Sequence, residues 1–263
     1  MASLRCILLL SVISIFFLLS ADGISTVPQH SNDSKVTMMF SNSSQPNAPA
    51  KTPSSNNDVT HYLLVLQWPP SVCNSVKYSG KICNTPIPQD FKLHGLWPQG
   101  KAGSLLDCVP SAANKFNTIE VFKVTKLATV WPQLFKGENK PSIENVNFWR
   151  HEWDKHGACS GLNPVDYFKK AVNLYDTLKL KLLLENYNVQ PGNMYAPRPD
   201  IIDVLPRKQK PKVTCGVNIK GQFQIQELSF NVTAAADNIQ PITLAIKVSD
   251  CPNRGYNPVG FPN

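Results

Sequence analysis

Six cysteines behind an export-type leader restrict this chain more than any other feature. Residues 1–23 read "MASLRCILLLSVISIFFLLSADG": Arg5 in a short polar start, an apolar-rich run from Ile7 to Leu19, then small residues. That layout predicts a signal peptide cleaved near Ala21–Gly23, which takes Cys6 with it. The run is about 13 residues, short of the roughly 20 that a spanning helix needs. The predicted mature chain is therefore exported rather than anchored, with no membrane partner. It keeps Cys73, Cys83, Cys108, Cys159, Cys215 and Cys251. An even number in an oxidising compartment predicts disulfides, whose connectivity spacing alone leaves open. No C-x-x-C pair occurs to support a zinc reading.

Residues 24–58 are rich in Ser, Asn and Pro, and their few apolar residues have no period. Such a segment buries too little surface to offset its ordering entropy, so a disordered arm is expected. It carries two glycosylation sequons, at Asn32 and Asn42; a third, at Asn231, falls in the predicted folded domain, residues 59–263. The net charge of +8, with a pI near 9.1, favours a polyanionic partner. Only 17% of residues are charged and there is no dense basic run. Charge alone thus tilts the reading without deciding it.

Within the domain, "HYLLVLQW" suits a buried strand ended by Pro69-Pro70, and "FKLHGLW" (91–97) alternates like a second strand. Residues 115–131 show a loose helical pattern. "SIENVNFWRHEWDKHG" predicts a helix entered at Ser142 and closed by Gly157. A longer helix is predicted over "NPVDYFKKAVNLYDTLKLKLLLENY", with Asn163 as N-cap and Pro164 in the first turn. "VTCGVNIKGQFQIQELSFNV" predicts a hairpin turning at Lys220-Gly221, and "ITLAIKV" (242–248) another strand. Helices and strands mix without regular alternation, which points to α+β: an antiparallel sheet with flanking helices.

Chemistry concentrates in "FWRHEWDKHGACS" (148–160). On a helix, with His151 at zero, Lys155 falls near 40°, Glu152 near 100° and His156 near 140°. One face would then carry two imidazoles, an ammonium and a carboxylate, while Phe148, Trp149 and Trp153 cover the other side. Two zinc ligands on one helix want a single turn between them, and these histidines differ in direction by about 140°. A solvated helix paired through Glu152 and Lys155 is the bland alternative. It leaves two histidines and the tryptophans unexplained.

A third histidine, His94, lies in "FKLHGLWPQG". "HGLWPQ" and "FWRHEWDKHGACS" together resemble, nearly letter for letter, the two active-site segments of the T2-type ribonucleases, a family of acid-tolerant secreted or vacuolar endoribonucleases. "LVLQWPPSVC" (64–73) looks like the family's first core strand. The resemblance covers about residues 61–251, loosely outside these segments. It implies the family's disulfide-stapled fold, with bridges Cys73–Cys83, Cys108–Cys159 and Cys215–Cys251. A further C-terminal bridge of many members is missing here. It also implies cleavage of single-stranded RNA to 2′,3′-cyclic phosphates, with no metal and no cofactor.

Under the resemblance His156 is the general base, His94 the general acid and His151 the phosphate holder. Lys155 stabilises charge and Glu152 positions its neighbours. The residues themselves do not say which histidine is acid and which base. Gln67, Gln133, Leu134 and Phe148 look like base-contacting residues, with core packing or a turn role the alternative for each, and Trp68 and Trp97 are expected in the core. The basic pI, the leader and the "QWPPSVC" wording lean toward the S-RNases, style proteins that reject self pollen. Pollen F-box proteins would then be partners. The polar arm is typical neither of these nor of the scavenging or defence enzymes, the other enzymatic reading. An inactive secreted binding or storage glycoprotein is the non-enzymatic one. The expected state is a monomer, extracellular or retained in a vacuole.

Overall fold

The structure is a computed structural model that describes residues 59–106, 108–195, 211–233, 251 and 259–263. The expected signal peptide, polar arm, Asn32, Asn42 and the strand at 242–248 lie outside those residues.

An antiparallel sheet organises the domain. Strand β1 (His61–Gln67) lies between β2 (Lys92–Gln99) and β5 (Phe223–Thr233), antiparallel to both. β4 (Lys212–Val217) forms the predicted hairpin with β5. Its turn is set by Asn218, whose Oδ1 accepts from the amides of Lys220 and Gln222, with Gly221 at positive φ. β3 (Met194–Tyr195) and β6 (Val259–Gly260) extend the sheet, β6 meeting β5 in parallel at one residue pair. β1 is a continuous apolar run because both its edges are paired. Leu64, Val65 and Leu66 are wholly buried. β2 is an outer strand, which is why it accommodates Pro98.

Helices α4 (Pro141–Lys155) and α5 (Pro164–Leu178) supply Trp149, Trp153, Tyr167 and Phe168 to the core around β1 and β2. Three buried polar handles fix the packing. Tyr62 Oη donates to Ser160 O at 2.9 Å, Tyr167 Oη to Leu96 O at 2.7 Å, and Trp149 Nε1 to Trp131 O at 2.8 Å. Such side chains bury large area and still satisfy their one donor.

Several helix boundaries differ from expectation. α4 starts at Pro141, with Lys140 extended as N-cap, because proline suits the first helical position. It ends before His156, whose φ of −129° and ψ of −48° leave the helix. Gly157 then packs so closely on the Trp153 ring that a Cβ there would collide with it. The loose pattern of 115–131 is two short helices, α2 (Thr118–Phe122) and α3 (Leu127–Val130), with Ile119 and Phe122 exposed. The long helix breaks at Lys179, in the left-handed region, into α5 and α6 (Leu180–Asn186). Leu178 and Leu180 would point about 200° apart on one helix. The break lets both be buried. Asn163 caps α5 as expected, accepting from Asp166 N at 2.9 Å.

All three bridges, Cys73–Cys83, Cys108–Cys159 and Cys215–Cys251, are formed. Asn231 lies on β5 opposite Leu63, partly buried.

Candidate active site

His94 does not sit in a regular strand position. Val65 faces Gly95 and Leu66 faces Leu93, so His94 is the extra residue of a β-bulge. A second register break, on β5, leaves Gln226 unpaired beside Glu227, since Thr214 faces Glu227 and Cys215 faces Ile225. Bulges re-aim side chains, and these two lie beside a shared contact: His94 Nδ1 meets Glu227 Oε1 at 2.6 Å. The backbone of His94 is held as well, its carbonyl accepting from Trp131 Nε1 at 2.9 Å. Trp131 in turn accepts from Trp149 on α4. Two buried indoles thus set the helix register against the strand that carries His94.

On α4, Glu152 is buried to 2% exposure and its Oε2 accepts from Trp97 Nε1 at 3.2 Å. Gly95 makes this approach possible: a Cβ on it would strike the Trp97 indole and lie 2.7 Å from the Glu152 carboxylate. His151 and Lys155 are exposed. With Glu152 buried and Lys155 exposed, no ion pair joins them among the described residues, and the solvated-helix alternative falls away. His156, just past the helix, is buried at 3% exposure and stacks on Trp97 with ring centroids 5.0 Å apart. The helical arc drawn from sequence therefore fails for His156. Its place is set by the helix end and by Cys159, which joins Cys108 three residues on.

Trp97 is the hub. Its ring meets His94 edge-on at 5.3 Å, stacks on His156 and hydrogen-bonds Glu152. The expectation that it belongs to the core is corrected: it is only partly buried, at the site. Trp68 is in the core, as expected. Sequence reasoning also missed Glu227, which lies 133 residues from His94 along the chain and carries no motif of its own.

The electrostatics separate the two histidines. Burial pushes His94 down, but the hydrogen bond and charge of Glu227, with the charge of Glu152, outweigh it and hold its pKa above the ordinary value. Burial pushes His156 down to about 3, reinforced by the positive charge of Lys155, His94 and His151. Its Nδ1 is buried without a hydrogen-bond partner among the described residues. Burial raises Glu152 to about 7, against the opposing pull of His94, Trp97 and Lys155. The surroundings thus push the two imidazoles in opposite directions.

The expected base-contacting residues divide. Phe148 stacks on His94 with centroids 6.4 Å apart. Gln67 ends β1 opposite Glu227 and is buried, donating to Leu93 O at 3.3 Å. Gln133 lies in the stretch between α3 and α4, its side chain accepting from Phe135 N and its backbone N donating to Asn145 of α4. Leu134 is buried at 5% exposure, and its carbonyl accepts from Asn84 N at 2.8 Å. None of the ring or hydrogen-bond contacts among the described residues joins Gln133 or Leu134 to His94.

A strand imidazole bound to a carboxylate, facing a buried imidazole and an exposed imidazole–ammonium pair, is the equipment for acid–base chemistry on a phosphate ester. Residues 59–251 match the model of the Ribonuclease T2 family. The chain belongs to that family, and its class is T2-type endoribonuclease. Among curated relatives, Ribonuclease S-2 of Antirrhinum hispanicum is 34% identical over 163 residues, 60% of this chain and 65% of that protein. Ribonuclease 3 of Arabidopsis thaliana is 30% identical over 68% of this chain and 81% of its own length. Among solved structures, the self-incompatibility-associated SF11-RNase of Nicotiana alata superposes with a TM-score of 0.63 at 26% identity, covering 78% of this chain and all of that one. RNase NT in complex with 5′-AMP gives 0.61 at 26% identity, covering 78% of this chain and 98% of its own.

Proposed function

We propose that this chain is a secreted endoribonuclease that cleaves single-stranded RNA by metal-independent transphosphorylation. The observation that carries the reading is that two histidines meet one indole in opposite surroundings, His94 on the Glu227 carboxylate and His156 buried. His156, held neutral, takes the proton of the ribose 2′-hydroxyl. That oxygen bonds to the adjacent phosphorus as the bond to the 5′-oxygen breaks. His94, whose protonated form Glu227 favours, gives its proton to the departing 5′-oxygen. The products are a 2′,3′-cyclic phosphate and a new 5′-hydroxyl. DNA lacks the attacking group.

The exposed Lys155 supplies positive charge and the exposed His151 a hydrogen-bond donor to the phosphate, and both stabilise the phosphorane-like transition state. A bound phosphodiester also changes His156. In the free protein burial, reinforced by three neighbouring cationic groups, holds its pKa low; an anion set among those groups offsets their part and raises its basicity toward working pH. Glu152, tied to Trp97, positions the ring that separates the acid from the base. Phe148, beside His94, offers a face on which a base stacks.

Purified protein is expected to cleave single-stranded RNA in EDTA, to accumulate cyclic phosphate and to leave DNA intact. Activity that disappears with the chelator would falsify the mechanism. The relatives include both S-RNases and Ribonuclease 3. The S-type relatives and the basic charge favour a style-side factor in self-incompatibility, with pollen F-box proteins as partners. A style-restricted transcript with strong allelic variation supports that role. Induction in root or leaf on phosphate starvation supports scavenging instead.

A further inference from the structure

A second cluster of cations and aromatic rings lies outside the catalytic residues. The Cys73–Cys83 bridge closes a loop that carries Lys77, Tyr78 and Lys81. The Tyr78 ring packs against Phe135 with centroids 5.0 Å apart. Lys81 Nζ lies 5.9 Å from the Tyr78 centroid and 5.3 Å from that of Phe135, and Lys77 Nζ lies 5.3 Å from Tyr78. Both rings are half-buried and both lysines exposed. Among the described residues, no carboxylate forms an ion pair with either lysine.

The cluster is built rather than incidental. The loop is laced to residues 133–136 by Asn84 N to Leu134 O at 2.8 Å and Lys136 N to Ile82 O at 2.7 Å. Asn84 Nδ2 adds bonds to the carbonyls of Gln133 and Phe135. The far side of that segment is pinned to the catalytic helix, since Gln133 N donates to Asn145 Oδ1 at 2.7 Å. Asn145 stands one turn before Phe148, which stacks on His94. The positive charge of Lys77 also reaches His94, where it opposes the raising effect of Glu227. The cluster is thus in electrostatic range of the catalytic histidine, while none of the ring, ion-pair or hydrogen-bond contacts among the described residues joins Tyr78 or Lys81 to a catalytic side chain.

Exposed ammonium groups over aromatic faces match a single-stranded polynucleotide: phosphates for the cations, base planes for the rings. We propose that Lys77, Tyr78 and Lys81, backed by Phe135, form an additional nucleotide subsite that holds the RNA strand beyond the nucleotides flanking the scissile phosphate. This inference rests on the ribonuclease reading and extends it. It predicts a preference for longer strands, because only a strand that continues past the flanking nucleotides would fill the loop subsite.

The test compares two substrates with Lys81→Gln and Tyr78→Leu variants. One is a dinucleotide. The other is an oligonucleotide with a single ribose flanked on both sides by deoxynucleotides, so that only one bond is cleavable. Both variants should lower kcat/KM on the oligonucleotide about tenfold, the scale of one lost stacking or charge contact. Rates on the dinucleotide should stay within about twofold of wild type. Lys81→Gln should also flatten the salt dependence of oligonucleotide KM, its log–log slope falling by about 0.7 for one lost phosphate contact on a single strand. Equal losses on both substrates would show a structural defect in the loop and overturn the subsite. Unchanged oligonucleotide kinetics in both variants would overturn it equally. Wild-type protein that cleaves neither substrate removes the ribonuclease reading itself, a distinct result. Lys81→Gln is an exposed substitution, so it keeps the test intact if Tyr78→Leu fails to fold.

Discussion

His94 and His156 are the same side chain in two regions built on opposite plans. His94 sits at a bulge on an outer strand, with its carbonyl held by Trp131 and its ring by Glu227. His156 sits past a helix end, buried against Trp97, with cations around it and no partner for Nδ1 among the described residues. Trp97 touches both rings. A carboxylate partner stabilises the imidazolium; burial among cations expels the proton. The proposed acid and base roles follow these surroundings, where residue type is silent.

The contrast breaks most severely if either ring is removed. His94→Ala and His156→Ala should each lower turnover on RNA at least about 100-fold, the usual scale for a general acid or base. Near-normal rates in either variant would strip that residue of its role.

Glu152 gives the next largest effect, read in stability rather than rate. Its folded value, raised from 4.5 to about 7, means that the folded protein keeps a proton which the unfolded chain releases. Stability should therefore fall as pH rises between those values, by roughly 3 kcal/mol. Glu152→Gln should flatten this limb in denaturant titrations. His156 has the opposite sign. Its value drops from 6.5 to about 3, so its contribution is lost as pH falls through that window. Between about pH 4.5 and 6.5 the two contributions oppose and largely offset each other in the wild type. Denaturation curves at several pH values should therefore expose the His156 limb in Glu152→Gln and the Glu152 limb in His156→Ala.

Glu227→Gln should sharpen the comparison by making His94 more like His156. Losing a charge-assisted hydrogen bond of this kind should slow cleavage about tenfold. It should also move the alkaline limb of kcat/KM to lower pH, because His94 then loses its proton earlier. A uniform loss with an unmoved pH profile would mean that Glu227 only supports the sheet. Trp97→Phe keeps a ring on His156 but deletes the donor to Glu152. The expected loss is about threefold, from one hydrogen bond. A pH–stability curve with Glu152 titrating higher than in the wild type would identify the cause.

The catalytic residue types were legible because they are consecutive and backed by tryptophans. "RHEWDKHG" announces a charged site, and Trp149 and Trp153 are buried as their spacing from it requires. β1, β2, the β4–β5 hairpin and the Asn163 cap were legible from local patterns too. The break at Lys179 and the early end of α4 were not. Both depend on which neighbours can be buried at once, and a period of about 3.6 residues carries no such information.

By itself, the sequence determined the family, the six cysteines, the site's residue types and the strands that frame it. Local physics suffices there, since motifs, caps and alternation act within a few residues. Only the tertiary structure decided that His94 bonds Glu227, that Trp97 serves the site rather than the core, and that His156 lies off the helix. These outcomes follow from two sheet bulges, a disulfide and a close glycine contact. They join residues far apart in the chain, where the free energy of a contact depends on everything packed around it.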